Sequence, residues 1–492
     1  MIPSISWENL SRSDEVAAHR AWLAHGMTVT EVDVRALPLA PKNPLPYRRQ
    51  LREIRQLHTG IERLRDAGGP VTRVVLAPAW LSPPLVVVTS PQGAHDVLSS
   101  GDVDRAPAHD EIRHLLGPNL FDLRNEPWLP RRRMLQPLFT KQYVRNYGGH
   151  MSQAAEMVAS AWRDGSTVDL DAECRKLTLR ALGRSVLGVD LDERAAALGE
   201  PMRITQEYVT DRAFAPVRAP RWLPTPARRR ARAASATLHR CAHDILQTCR
   251  ADPTRDAPLV RGLMTAVDPE TGCGLSDREI CDELVVFMLA GHDTTATTLA
   301  YALWALGNHP DVQRRVAAEV AALPAAEITP DDVARLPYTV QVLHEALRLC
   351  PPGALNGRTA VRDIAVDGYR VQADSLVGVG VYALHRDPAL WERPDQFDPD
   401  RFSPENAAAR DRWQYLPFGG GPRKCVGDHF AMLEAALALA TCVRRCEFSS
   451  LSTDFPLAVP FTTVAAEPIY ARVRQRRSAV DCAAGGQADT AQ

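Results

Sequence analysis

The sequence predicts an α+β protein that is mainly helical and carries small β-sheets. A capping box opens a helical pattern at 276–310, and about thirty residues of helix rise roughly 45 Å, enough to cross a whole domain. Short runs rich in β-branched residues at 71–76 and 85–89 predict two strands separated by a proline pair. Consecutive glycines before a helical pattern at 428–439 predict a tight loop that leads directly into another helix.

The composition is that of a soluble protein of ordinary charge. The chain of 492 residues has a net charge of −1, with 45% hydrophobic and 24% charged residues, so we expect no nucleic-acid partner. Its ten cysteines are scattered without a CxxC pair, a usage typical of a reducing compartment. The N-terminus shows neither a secretory signal nor an apolar run of spanning length. We therefore expect a cytoplasmic protein without a transmembrane anchor.

The first third of the chain alternates extended and helical patterns. Residues 1–45 form a predicted N-terminal arm, in which prolines recur every two or three positions after Pro38 and favour an extended backbone. A charged amphipathic helix is predicted at 48–66, stopped by a Gly-Gly-Pro sequence before the first strand. We expect one folded domain at 46–476 and a disordered tail at 477–492.

The most informative stretch is a loop near the C-terminus, in which Phe418, Gly421, Arg423, Cys425 and Gly427 form one pattern. Glycines here predict a backbone that passes close to something flat or bulky. The cysteine follows an arginine and a lysine and precedes a helix, so charge and helix dipole should favour its thiolate form. A thiolate in this position is either a nucleophile or a metal ligand.

The middle of the long helix carries Ala290 and Gly291, followed by Asp293 and Thr294. Small residues, an acid and a β-branched hydroxyl are unfavourable choices inside a helix. Something other than helix stability has therefore selected them. An acid beside a hydroxyl can deliver protons by general acid catalysis.

Two further pairs stand at helical spacing. Trp128 and Arg132 are four residues apart and share one helical face, and Glu345 and Arg348 are three apart and can meet. Alone, each pair is compatible with an ordinary solvated helix. Their order along the chain and their distance from the cysteine loop indicate that they belong to the same functional region.

Taken together, these motifs resemble those of the cytochrome P-450 superfamily over roughly residues 46–476. The resemblance implies the cytochrome P-450 fold in a single large heme domain, with heme b (iron protoporphyrin IX) as cofactor. It implies that Cys425 is the metal ligand and that Asp293 and Thr294 are catalytic residues that supply protons. The residues that it assigns to cofactor binding are Trp128, Arg132, Ala290, Gly291, Arg358, Phe418, Gly421, Arg423, Cys425 and Gly427.

Other implied roles follow from the same resemblance. Arg358 would bind a heme propionate, although neighbouring Arg362 is an alternative. Glu345 and Arg348, together with Arg401, would lock the region of the cysteine loop. The stretch 214–232, rich in proline and arginine, would connect two lid helices over the substrate entrance. Such a basic connection can contact anionic lipid or an acidic substrate or carrier, or it is simply a solvated loop.

The implied function is a heme-thiolate monooxygenase that inserts one oxygen atom from O₂ into an apolar small molecule, by hydroxylation or epoxidation. The pocket-lining stretches, 352–356 and 459–464, are mostly apolar and compatible with fatty acids, terpenes, steroids or polyketides. A peroxide-driven oxygenase and a non-catalytic heme-binding sensor are the alternatives. The Asp293–Thr294 pair argues against both, because peroxide-driven relatives usually lack it and a sensor needs no proton delivery.

Electrons are expected from outside the chain, because no flavin or ferredoxin segment is fused to it. The resemblance implies a separate ferredoxin or flavodoxin with its reductase. We expect Arg131, Arg133 and Lys424 to form the docking surface on the cysteine side of the heme, since such partners are acidic.

Overall fold

The structure is a computed structural model, and it describes residues 33–75, 83–188, 192–214, 219–324 and 327–476. The predicted tail and residues 1–32 of the predicted arm lie outside the described residues.

Helices dominate the described residues, and with several small sheets they confirm the predicted α+β class. Many begin at a proline in the first turn, where its missing N–H costs nothing. In chain order the helices are α1 Tyr47–Glu53, α2 Thr59–Gly68, α3 Pro91–Ser99, α4 Ala108–Leu116, α5 Asn125–Leu135, α6 Lys141–Val144, α7 Gly148–Ala161, α8 Leu170–Leu182, α9 Asp192–Phe214, α10 Pro226–Ala251, α11 Pro258–Thr265, α12 Asp277–Asn308, α13 Pro310–Ala321, α14 Pro337–Leu349, α15 Val381–Leu384, α16 Pro404–Ala408 and α17 Asp428–Arg445.

The largest sheet of the described chain has the strand order β1-β2-β8-β5-β3, with β2 and β8 parallel and the other pairs antiparallel. Smaller sheets pair β4-β12-β9, β6-β7 and β10-β11. The strands are β1 Val71–Val74, β2 Leu85–Val88, β3 Val103–Arg105, β4 Thr167–Asp169, β5 Leu355–Ala360, β6 Ile364–Val366, β7 Tyr369–Val371, β8 Leu376–Gly380, β9 Cys446–Ser450, β10 Leu457–Ala458, β11 Val464–Ala465 and β12 Tyr470–Gln475.

The long helix α12 is the centre of the helical core. The predicted capping box is present: the Ser276 hydroxyl accepts from the Glu279 N–H, and the Glu279 carboxylate accepts from the Ser276 N–H. Side chains are buried on all sides of this helix, and helices α8, α10, α14 and α17 pack around it. Its middle therefore lies inside the protein, where the site residues were predicted.

The predicted helix at 48–66 is wrong in one respect, because the structure divides it into α1 and α2. The two helices touch at Gly60, where a Cβ would lie 1.8 Å from the carbonyl oxygen of Glu53. The buried Glu53 carboxylate also binds Arg63 of α2, 2.5 Å away. The chain turns here because this close contact brings two short helices together, which amphipathic periodicity alone cannot reveal.

Among the described residues, none of the helices has both the length and the apolar character needed to span a bilayer.

Candidate active site

The cysteine loop is held by backbone hydrogen bonds just before α17. The Cys425 N–H donates to Phe418 O over 2.9 Å, and the Lys424 N–H donates to Gly421 O over 3.1 Å. Gly421 has a φ of +67°, and a Cβ there would lie 2.0 Å from the carbonyl oxygen of Leu98. Only glycine fits this position. The close neighbour that requires it is thus the backbone at the end of α3.

The surroundings of Cys425 shift the pKa of its thiol. Its residue is exposed, yet burial raises the pKa of its thiol. A hydrogen bond from the Gly427 N–H and the charges of Arg132 and Lys424 oppose that shift without overcoming it. The expectation that the nearby charges and the helix dipole favour the thiolate form of Cys425 is therefore wrong. A raised pKa does not suit a free nucleophile, whereas a metal cation at the sulfur would deprotonate the thiol.

Ala290 borders an open space in the middle of α12. It is exposed although Met288 and His292 on either side of it are buried. Gly291 does not share this role: a Cβ there would meet Leu182 of α8 at 3.1 Å, so this glycine serves helix packing. The prediction that both residues leave room for a cofactor is supported by the geometry of Ala290 only.

Asp293 and Thr294 have different surroundings. The Thr294 hydroxyl donates to the Ala290 carbonyl over 2.8 Å, which leaves its oxygen lone pairs available beside the open space. The Asp293 carboxylate is 7% exposed and forms an ion pair with Arg175 of α8. It also accepts a hydrogen bond of 2.7 Å from Gln206 of α9. The acid is thus held between a core helix and a lid helix.

A buried acid in α17 lies close to this motif and escaped the sequence analysis. Glu434 is 0% exposed and lies beside Thr295 of α12. Burial raises its pKa well above the usual value, so the carboxyl is neutral near neutral pH. Its position nine residues after the cysteine, inside an alanine- and leucine-rich helix, was the available signal.

Buried cations gather at the edge of the largest sheet. Arg105 of β3 lies directly opposite Arg358 of β5 in the strand register, and both are buried. Burial, followed by the neighbouring cations, lowers the pKa of Arg358 to about 10 and lowers the pKa of Arg105 well below its usual value. Burial also lowers the pKa of Arg423 to about 10, and burial followed by the charges of these cations lowers the pKa of His109. Like charges directly opposite each other are unfavourable. This cluster therefore fits an anionic group such as the heme carboxylates.

The structure distinguishes Arg358 from Arg362, the two candidates for binding a heme propionate. Arg358 is 4% exposed and belongs to the cation cluster. The Arg362 side chain is 73% exposed and pairs with Asp102 over 2.9 Å. Of these two, Arg358 is the residue placed to contact a bound cofactor. Arg105 was missed because only the pairing of β3 with β5 brings it to Arg358, and His109 because it follows β3 into α4 beside these arginines.

Trp128 and Arg132 lie on the same buried face of α5, as predicted. The Arg423 guanidinium sits over the Trp128 ring, 4.5 Å from its centroid, and donates to Leu123 O over 2.8 Å. Arg132 donates to Lys424 O over 3.2 Å and is 8% exposed. Helix α5 begins at Asn125, so Pro130 lies in its second turn.

The predicted lock is present. The Arg348 guanidinium binds both carboxylate oxygens of Glu345, at 2.7 and 2.8 Å, with both side chains 0% exposed. Arg401 approaches the same carboxylate at 3.4 Å. Arg348 also donates to the carbonyl of His385, whose ring accepts from the Leu416 N–H at the start of the cysteine loop. The triad is thus connected to the loop by hydrogen bonds.

The predicted docking surface is wrong for Arg131. This residue is 6% exposed, and its guanidinium binds Glu279 and Glu283 of α12. Arg133 is neutralised by a two-pronged pair with Asp268, at 2.8 and 3.0 Å. Both arginines therefore stabilise the contact of α5 with its neighbours instead of presenting free charge. Only Lys424 of this set has a largely exposed side chain, at 53%.

The predicted lid connection lies between α9 and α10, although residues 215–218 are outside the described chain. Glu111 of α4 holds it, because its carboxylate binds Arg212 at 2.8 Å and Arg221 at 3.2 Å. Trp222 at the tip is 80% exposed. The basic connection is thus tied to α4 on one side and open to solvent on the other.

Comparison with known proteins agrees with this site. The family model for Cytochrome P450 matches residues 39–469. The cyclooctat-9-en-7-ol 5-monooxygenase of Streptomyces melanosporofaciens is 34% identical over 346 residues, 70% of this chain and 75% of that protein. Cyclooctatin synthase of the same organism is 34% identical over 414 residues, 83% of this chain and 88% of that protein. The pentalenene oxygenase of Streptomyces avermitilis is 30% identical, covering 68% and 74%.

Among solved structures, the crystal structure of the cytochrome P450DA heme domain is similar with a TM-score of 0.77 and 26% identity, covering 90% of this chain and 98% of that one. The chain therefore belongs to the cytochrome P450 family. Within that class it is an oxidoreductase, a cytochrome P450 monooxygenase that depends on heme.

Proposed function

We propose that the protein binds heme b between the cysteine loop and α12 and uses it to insert one oxygen atom into an apolar small molecule. The observation that carries this proposal is the buried cation cluster, one member of which, Arg423, lies two residues before the thiol of Cys425. Cys425 would be the iron ligand, and Arg358, Arg423, Arg105 and Arg132 would hold the heme carboxylates. When bound, heme supplies the reduction and activation of O₂ and the oxygen transfer.

The remaining cofactor contacts of the proposal follow from the loop and α5. Phe418 and Gly427 flank the cysteine, and the Gly427 N–H donates to its sulfur, which stabilises negative charge there. Trp128 fixes Arg423 through the stacked contact at 4.5 Å. Gly421 sets the path of the loop against α3. We propose 46–476 as the boundaries of this heme domain.

Protons would enter through the side chains of α12. Thr294 presents its hydroxyl oxygen to the open space, because its proton is committed to the Ala290 carbonyl. Asp293 reaches the same helix turn but is bound to Arg175 and Gln206. It would therefore act through water, or after exchange of these partners. The neutral carboxyl of Glu434 is a second proton source on the opposite side of Thr295.

An apolar substrate suits the aromatic side chains at the turn that is predicted to line the pocket. Phe121 is 37% exposed and contacts Phe461 at a centroid distance of 6.2 Å. Phe461 belongs to the turn between β10 and β11, which was predicted to line the pocket. Three relatives are named for a cyclic alkenol, for cyclooctatin and for pentalenene. We propose an apolar, ring-containing molecule with few oxygen atoms as the substrate class.

Electrons would come from a separate ferredoxin or flavodoxin with its reductase. Lys424 is the exposed cation of the cysteine loop, 3.3 Å from Asp428, and is our candidate for docking. We retain the cytoplasm as the proposed location, where such electron carriers are present.

Replacing Thr294 with alanine tests the oxygenase proposal. We expect normal consumption of reductant and O₂ but a fall in product per electron of roughly tenfold or more, because proton delivery contributes about 10²–10⁴-fold to catalysis. Thr298→Ala is the matched control, one turn further along α12, where the hydroxyl donates to Thr294 O. An unchanged ratio in Thr294→Ala would contradict the proposal. Turnover with peroxide but none with O₂ and reductant would favour the peroxide-driven alternative.

A further inference from the structure

A second cavity of about 280 Å³ lies along the C-terminal half of α12, apart from the proposed heme site. Tyr301 in its wall follows Thr294 by seven residues, about two helical turns and roughly 10 Å. The cavity also borders the α1–α2 connection, the end of α15 and the segment that enters β10. Nothing in the proposed oxygenase chemistry uses these residues.

Three aromatic rings form one wall of this cavity. Tyr301 lies 5.0 Å from Trp304 and 5.0 Å from Phe455, centroid to centroid, and Trp304 lies 5.5 Å from Phe455. The Trp304 N–H donates to Ser452 O over 2.9 Å, which fixes the indole in place. Such a wall presents rigid ring faces and edges, the surroundings preferred by another planar ring.

Two other side chains around the cavity, Arg386 and His58, each have a buried nitrogen atom without a hydrogen-bond partner among the described residues. The Arg386 guanidinium lies over the Tyr382 ring at 4.0 Å, its side chain is 11% exposed, and its Nη1 is buried without a hydrogen bond. His58 packs edge-on against Tyr382 at 5.7 Å, and its Nδ1 is likewise buried and unpaired. Buried polar atoms normally have a partner, so this wall is suited to an acceptor.

The charges around the cavity define what that acceptor is. Arg386 also approaches the 83% exposed Asp395 at 3.4 Å through Nε and interacts electrostatically with the carboxyl of Glu62, but neither acid forms a hydrogen bond with Nη1. Burial, and then the charge of Arg386, lowers the pKa of His58, so its imidazole is neutral and can donate through Nδ1. Asp454 lines the cavity and is exposed, so it is available at the opening. One anionic group therefore fits inside, at the arginine.

We propose that this cavity binds a small aromatic monocarboxylate, with the carboxylate on Arg386 Nη1 and His58 Nδ1 and the ring against Tyr301, Trp304 and Phe455. The volume lies just below that of pockets for drug-sized ligands, which limits the ligand to one or two rings. A second negative charge is disfavoured by Asp454. A cationic ligand is disfavoured by Arg386.

Occupancy of this cavity should influence substrate binding, a consequence that rests on the proposed function. Leu457 of the cavity wall begins the hairpin whose turn carries Phe461, and this turn is the one proposed to line the substrate pocket. A ligand that fixes the base of this hairpin would change the affinity for substrate, and substrate would change the affinity for the ligand by the same factor.

The direct test is calorimetric titration of the heme-loaded, full-length protein with indole-3-carboxylate, and with indole-3-carboxamide as the neutral analogue. We expect one saturable site for the acid. Arg386→Gln should weaken its binding roughly tenfold or more, the usual effect of losing a charge-assisted hydrogen bond. Asp454→Asn should strengthen it by about two- to fivefold, as expected for removal of an exposed like charge. Both variants should leave the weaker amide binding unchanged.

Further variants separate this proposal from general effects. Phe455→Ala, which removes only the aromatic wall, should weaken both analogues, and Arg362→Gln, at an exposed arginine elsewhere, should weaken neither. No saturable binding of the acid, or binding that is insensitive to both Arg386→Gln and Phe455→Ala, would overturn the proposal. Binding of benzylammonium in preference to the acid would also overturn it. Acid binding without any change in substrate affinity would overturn the coupling and leave the site itself supported.

Discussion

Replacing Arg105 with methionine should have opposite effects on the heme-free and the heme-loaded protein. In the structure this arginine is buried directly opposite Arg358, and its Nε has no partner among the described residues. Without an anion, the pair is a buried like-charge contact. With the heme carboxylates in place, the same arginine becomes a charge-assisted donor.

The expected magnitudes follow from these two environments. Like charges opposite each other across strands cost about 0.2–1 kcal/mol, and methionine retains most of the buried volume. The free energy of unfolding of the heme-free protein should therefore rise by about 1 kcal/mol. A hydrogen bond to a charged group contributes about 1.5–3 kcal/mol, so the heme-loaded variant should lose heme roughly 10–150 times faster.

Two measurements on each variant are needed. Urea denaturation followed by circular dichroism gives the unfolding free energy of the heme-free protein. Transfer of heme to an excess of a scavenging protein, followed at the Soret band, gives the dissociation rate. Arg362→Met is the matched control, because that arginine is exposed and paired with Asp102. It should change neither quantity appreciably.

The result that refutes this reasoning is a loss of stability in the heme-free Arg105→Met protein together with unchanged heme loss. Such a result would mean that Arg105 stabilises the sheet by packing and takes no part in binding the carboxylates.

Three further predictions concern buried titratable groups. Glu345→Gln should lower the free energy of unfolding by about 3–5 kcal/mol in denaturation, because it leaves the charge of Arg348 buried without its partner; a loss below about 1 kcal/mol would contradict this. The hydrogen bond to Asp282 raises the pKa of His239, so its stabilisation is complete below the unfolded pKa of about 6.5 and lost as pH rises through the folded pKa. The stability difference between the native protein and His239→Gln should accordingly be larger at about pH 6 than at about pH 9, and a difference independent of pH would refute it. Glu434→Gln should preserve stability, because the native carboxyl is neutral, while product per electron falls; an unchanged ratio would exclude Glu434 as a proton source.

Local patterns predicted those parts of the fold that depend on short stretches of chain. The capping box at Ser276 and the strands around 71–74 and 85–88 follow from neighbouring residues, and all three are present. The division of the predicted helix at 48–66 depends on the contact of Gly60 with Glu53, which is a tertiary feature.

The candidate site shows the same limit. Cys425, Trp128 and Arg132 could be found because motif and spacing identify them. Arg105 could not be found in this way. Its importance arises from the pairing of β3 with β5, which places it opposite Arg358, more than 250 residues later in the chain.

Burial also reversed two expectations about charge. The thiol of Cys425 has two cations nearby in sequence, yet desolvation in the folded protein outweighs them and raises its pKa. The sequence predicts Arg131 to be an exposed cation, but Glu279 and Glu283 of α12 bind its guanidinium in the folded protein. The sequence identifies which side chains can carry charge. The balance between their solvation and their pairing depends on how the folded protein packs around them.

The central claim is that Cys425 binds heme iron as a thiolate, and the absorption spectrum of the reduced, carbon monoxide-treated protein tests it most directly. The account predicts a strongly red-shifted Soret band in the native protein and the loss of that shift in Cys425→His, which offers a neutral ligand instead. A heme spectrum without the red shift in the native protein, or a shift that persists in Cys425→His, would contradict the account.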